Sequence, residues 1–95
     1  MSDRTRIISV IPVYNGERFI RATLDSLAAQ TLHPDRVIVL DDASTDGTPE
    51  LVETYEPLDC ELIRSGQNEG LFRNFNKALS YSTECDFLHY ISADD

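Results

Sequence analysis

The chain has 95 residues, 41% of them hydrophobic and 26% charged, and a net charge of −9. A chain of this size makes one domain or a piece of one and buries roughly two-thirds of its unfolded surface. Its negative field sets it against nucleic acid as a partner, and none of its apolar runs approaches the roughly 20 residues of a membrane span.

Asp3, Arg4 and Arg6 lead straight into an apolar strand with no signal-peptide pattern. The expectation is a cytoplasmic protein, with a peripheral place at the membrane as one option for a full-length form. Arg6 to Val13 predicts a first strand closed by Pro12, and Tyr14-Asn15-Gly16 breaks it as a turn. From Glu17 to Gln30 the period lengthens. Ile20, Leu24 and Leu27 fall on one helical face with Phe19 and Ala28 beside them.

Val37-Ile38-Val39-Leu40 has no polar face, which predicts a strand buried on both sides in a parallel sheet. It runs directly into Asp41-Asp42. Ser44 or Thr45 is placed to cap the next helix, with Asp46, Pro49 and Glu50 suited to its first turn. That helix, Thr48 to about Tyr55, turns Leu51, Val52 and Tyr55 to the core, and Pro57 stops it. Cys60 to Arg64 predicts a third strand and Ser65 to Gly70 a polar loop. Leu71, Phe72, Phe75 and Leu79 mark a third amphipathic helix ending near Ser82, and Asp86 to Ile91 predicts a fourth strand. Cys60 and Cys85 lack C-x-x-C spacing and read as buried free thiols.

The fold class is therefore α/β: a Rossmann-like parallel sheet with flanking helices, in the order β-α-β-α-β-α-β, with right-handed crossovers. The chain stops at Ser92-Ala93-Asp94-Asp95, a charged turn directly after a core strand. The expectation is the N-terminal part of a longer protein. In a parallel sheet the carboxyl ends of all strands share one edge, the edge where open α/β sheets bind ligands. Here that rim gathers Pro12, Tyr14, Asn15, Asp41, Asp42, Asp94 and Asp95. A ring to stack on a base, acceptors for its hydrogens and carboxylates for a metal-diphosphate suit a nucleotide, and hard oxygen ligands select Mg²⁺ or Mn²⁺.

At this point five stretches carry a resemblance. They are Ser9-Val10-Ile11-Pro12-Val13-Tyr14-Asn15, Leu27-Ala28-Ala29-Gln30-Thr31, Val37 to Thr48, Asn68-Glu69-Gly70-Leu71 with Arg73-Asn74, and Ser92-Ala93-Asp94-Asp95. In that order and spacing, the chain resembles the N-terminal, nucleotide-binding half of a family 2 glycosyltransferase with the GT-A fold. Residues 1–95 would then be the nucleotide-sugar-binding part of such a domain, cut just after its metal motif. The resemblance implies transfer of a sugar from a nucleotide donor, usually UDP-linked, with inversion at the anomeric carbon.

By position, the resemblance puts Pro12 and Tyr14 in the base pocket, with Tyr14 stacking on the base and Glu17 at the pocket mouth. It gives Asp42 a hydrogen bond from the base, with Asp41 as its structural neighbour, and turns Arg73 toward the diphosphate. The family's Asp-x-Asp metal motif falls on Ser92-Ala93-Asp94, so Ser92 replaces the first Asp. Asp94 would keep the metal-diphosphate role, assisted by Asp95, with Mn²⁺ or Mg²⁺ as cofactor. The family's catalytic base, an Asp or Glu that deprotonates the acceptor, lies in the half beyond this chain. The implication is a chain that binds a donor but does not turn over alone, and a fragment free to self-associate.

Other readings stand beside this one. Asp42 could only cap the following helix, and that reading suits Asp46 better than ligand binding does. Asp94 and Asp95 could be a solvated turn. His33 and His89 have no partners at ligand spacing and read as structural, and Gly47 and Gly70 serve backbone geometry. Asp42, Ser44, Asp46, Gly47 and Glu53 mimic a calcium loop, but a strand enters it where a helix is required. A nicotinamide-binding domain would need a Gly-rich first turn, whereas this one holds a single glycine. A receiver-like phosphoacceptor would carry its acidic pair on the first strand. A degenerate, non-catalytic nucleotide-binding module is the remaining alternative, to which Ser92 lends some support.

Overall fold

The computed structural model describes residues 6–31, 33–67 and 70–91, apart from the side chains at positions 71, 72, 74 and 75. Four strands, β1 (Ile7–Val13), β2 (Arg36–Asp41), β3 (Cys60–Arg64) and β4 (Phe87–Tyr90), form one parallel sheet in the order β3-β2-β1-β4. Helices α1 (Glu17–Ala28), α2 (Thr48–Glu53) and α3 (Gly70–Leu79) connect them, and a 3-10 turn, Ser80–Glu84, leads from α3 into β4. The expected alternation and parallel sheet are both present.

Two-residue alternation along β1 and β2 splits the core into layers. Ile11, Val13, Val37 and Val39 face α1 and α2, where they meet Ile20, Leu24, Leu27, Val52 and Tyr55. Ile8, Val10, Ile38 and Leu40 face the other way, with Ala78 of α3 among them. Every residue from Val37 to Leu40 is buried, as its unbroken apolar run requires. At the amino ends of the strands, Arg36 grips Glu61 through two nitrogens, at 2.7 and 2.8 Å, and reaches Glu84 at 2.8 Å.

Several expectations need correction. The first two helices stop sooner than predicted, at Ala28 and Glu53, and Tyr55 packs into the core from beyond the end of α2. Neither Ser44 nor Thr45 caps α2. Gly47 holds the cap position, and the Thr48 N–H is taken by Asp46 Oδ1 at 2.9 Å. Leu79, which helical spacing predicts on the apolar face, is 44% exposed, because the chain tightens into the 3-10 turn there and Ala78 is the residue buried in the core instead. The predicted apolar face at Leu71, Phe72 and Phe75 lies outside the described side chains. Cys60 and Cys85 are free thiols, half-buried rather than buried, and they pack against opposite faces of the sheet.

Candidate functional site

The strand order places β1 between β2 and β4, so the chain winds outward to β3 and then returns across β1 to form β4. That reversal opens a crevice beyond the carboxyl ends of the central strands. Pairing continues past the formal end of β2. The Asp42 N–H donates to the Val13 carbonyl and the Ser65 N–H to the Asp41 carbonyl, each at 2.9 Å. Asp42 is thereby held on the rim beside the end of β1.

Asp41 and Asp42, though adjacent, serve opposite layers. Asp41 continues the row of Val37 and Val39, and its carboxylate is fully buried, at 0% exposure. Its Oδ2 accepts the Ser44 N–H at 3.2 Å and Arg64 Nε at 3.0 Å, while Oδ1 has no hydrogen-bond partner among the described residues. Asp42, 3% exposed, turns toward the other layer and accepts the Gly70 N–H on Oδ2 at 3.0 Å. Gly70 opens α3 with φ +84, a left-handed conformation that a residue with a Cβ resists.

The loop after β1 and the loop after β2 are laced together. The Asn15 N–H donates to Ser44 Oγ at 2.9 Å, and the Thr45 N–H returns a bond to Asn15 Oδ1 at 2.8 Å. The Gly16 N–H donates to Thr48 Oγ1 at 3.1 Å. The Glu17 N–H donates to Asp46 Oδ2 at 3.2 Å, and the Gly47 N–H donates to Glu17 Oε1 at 3.1 Å. Burial alone would push the Asp46 carboxyl up. The hydrogen bonds from the Thr48 hydroxyl, the Thr48 N–H and the Glu17 N–H outweigh it and hold the group below its usual range. Asp46 thus tends the amino ends of two helices, as its structural reading expected.

The expected site residues fall into three groups. Pro12 is buried at the end of β1, Tyr14 beside it is 50% exposed, and Asp42 lies at the end of β2, so these share one rim. The Glu17 carboxylate is engaged with Gly47, and Arg73 is exposed on α3. Asp94 and Asp95, with Ser92 and Ala93, lie outside the described residues. Among the described residues no group of three or more His, Cys, Asp or Glu gathers as a metal site. Sequence reasoning missed Arg64. Only the register that sets Asp41 opposite Arg64 could have flagged it.

Residues 9–95 match the family model described as Glycosyl transferase family 2. Glycosyltransferase GlyA of Streptococcus pneumoniae is 30% identical over 91 residues, covering 95% of this chain and 13% of GlyA. The crystal structure of Staphylococcus aureus TarS 1-349 in complex with UDP-GlcNAc superposes with a TM-score of 0.81 at 33% identity, over 94% of this chain and 26% of TarS 1-349. Mannosyltransferase PcManGT from Pyrobaculum calidifontis, in complex with GDP-Man and Mn²⁺, gives 0.70 at 34% identity, over 82% of this chain and 24% of its own. The chain spans between 13% and 38% of the length of the curated relatives it matches.

Proposed function

Because the chain belongs to glycosyl transferase family 2, we propose that it forms the donor-binding region of a glycosyltransferase that takes a sugar from a nucleotide, with UDP as the nucleotide of choice. The observation that carries this reading is Asp42. Asp42 is almost wholly buried at the carboxyl end of a central parallel strand, on the rim that also carries the exposed Tyr14. A carboxylate held at this place on the rim is suited to accept the imide N–H of a uracil ring, and the exposed phenol of Tyr14 offers a stacking face. The TarS structure with UDP-GlcNAc supports a uridine donor, and PcManGT with GDP-Man and Mn²⁺ keeps guanine as the base to test against.

In this reading Pro12, Tyr14 and Asp42 hold the base, Glu17 braces the loop at the pocket mouth, and Arg73 and Asp94 face the diphosphate. Asp94 and Asp95 hold Mn²⁺ or Mg²⁺, whose chemistry is to neutralise the diphosphate as it leaves. Transfer proceeds with inversion, and acceptor and catalytic base come from the longer protein. Self-association of the isolated chain belongs to the same reading. β4 is an edge strand among the described residues, and Phe87 on it is 60% exposed. Sedimentation equilibrium decides that point.

Calorimetric titration of UDP into the chain, with Mn²⁺ and then with EDTA, tests the proposal beside GDP and NAD. Saturable UDP binding that needs the metal and weakens in Asp42→Ala supports it. Metal-independent NAD binding, or no nucleotide binding by a folded sample, speaks against it.

A further inference from the structure

We infer that Arg64 is a positioning residue for the nucleotide rim, acting through the turn at Ala43 rather than by touching the ligand. This rests on the donor-site reading and assigns a role to a side chain outside that reading. Ala43 lies between Asp42 and Ser44 with φ +64. A residue with a Cβ adopts this left-handed conformation at a cost, so surrounding contacts must hold it there.

Those contacts converge on Arg64. Its Nε donates to Asp41 Oδ2 at 3.0 Å, on the residue before Asp42. Its Nη2 donates to the Ser44 carbonyl at 3.1 Å, on the residue after Ala43. The same Asp41 oxygen accepts the Ser44 N–H at 3.2 Å. One planar fork therefore bridges both ends of the turn and closes a ring around Asp42 and Ala43. The turn then passes the hold on, since Ser44 Oγ receives the Asn15 N–H at 2.9 Å, next to Tyr14. Arg64 thereby fixes both Asp42 and the loop that carries Tyr14.

The chemistry requires arginine. The guanidinium offers two N–H vectors at a fixed angle, whereas a lysine ammonium is a point charge that can meet Asp41 without also holding the carbonyl. Arg64 itself is half exposed and Asp41 fully buried. The structural burden therefore lies on the acid, and the arginine anchors it from the surface.

The test uses Arg64→Ala, Arg64→Lys and the double variant Arg64→Ala/Ala43→Gly of the whole chain. Amide hydrogen exchange is read at Ser44 and Asn15, with Ile38 and Val39 as internal controls, and UDP affinity is read by calorimetry. Arg64→Ala is expected to speed exchange at Ser44 and Asn15 but not in β2, and to weaken UDP about tenfold. Arg64→Lys, which keeps the charge and guards against loss of the fold, leaves Ser44 exchange fast. Ala43→Gly removes the Cβ penalty, so the double variant recovers most of the affinity. Unchanged exchange at Ser44 and Asn15, full rescue by lysine, or a double variant as weak as Arg64→Ala would each overturn the inference, the last by pointing to direct ligand contact. If the native chain takes up no UDP, the donor reading fails, and the exchange results still decide whether Arg64 holds the turn.

Discussion

The Asp42 carboxylate and the Gly70 N–H meet at 3.0 Å, joining the carboxyl end of β2 to the first residue of α3. The bond binds a rim residue to a helix on the far side of the sheet. It also separates the structural task of Asp42 from its proposed chemical one. Asp42→Asn keeps an oxygen for Gly70 but loses the charge that favours an imide N–H. The expected result is a melting temperature within a few degrees of the native chain and a UDP affinity lower by about tenfold or more. Paired thermal melts and calorimetry check both halves.

Glu17 and Gly47 form a second joint, between the amino ends of α1 and α2. A Cβ on Gly47 would lie 2.5 Å from Glu17 Oε2, so Gly47→Ala forces the flexible carboxylate aside and breaks its bond to the Gly47 N–H. The expected loss is about 1 kcal/mol in urea denaturation. Because Glu17→Ala removes the same bond, the two substitutions combined should cost less than their sum. Strict additivity would show that the pair contributes nothing jointly.

Much of this architecture is legible in the chain itself. β2 is readable because Val37 to Leu40 offers no polar face, and α1 because Ile20, Leu24 and Leu27 recur on one side. The rim position of Asp42 follows from β2 alone, and Asp46 reads correctly as a helix-end residue because its bonds to Thr48 are local. The loop clasp is not legible. Asn15 with Ser44 and Glu17 with Gly47 lie about thirty positions apart, and no periodicity couples them. Arg64 reads as an ordinary charged strand end until the register sets it opposite Asp41. Leu79 misleads because helical spacing assumes a helix that continues, whereas α3 gives way to a 3-10 turn after that residue.

Tyr55 gives an alkaline signature. Burial first, and then the bond its hydroxyl donates to Asp25, push the phenol up to about 12. The folded value lies above the ordinary one near 10, so the neutral phenol is favoured by folding. Its contribution is fully present below pH 10 and is lost as the pH rises toward 12. Denaturation midpoints at pH 9, 10 and 11 should therefore fall more steeply for the native chain than for Tyr55→Phe. Parallel slopes would contradict this.

Leu24 is fully buried in the layer beneath α1. Leu24→Ala removes side-chain volume that the rigid sheet above it does not replace. The expected destabilisation is about 2–5 kcal/mol, a large share of what a domain of this size possesses. Chemical denaturation followed by circular dichroism measures it, and a cost below about 1 kcal/mol would mean that the layer closes over the gap.

Whether this rim binds a nucleotide is tested most directly by a map of amide chemical-shift changes when UDP is added with diamagnetic Mg²⁺. The expected result is saturable shifts at Tyr14, Asp42, Ala43 and Gly70, little change at the amino ends around Arg36 and Glu61, and loss of the response in Asp42→Ala. Shifts centred away from the rim, or an unchanged response in Asp42→Ala, would contradict it.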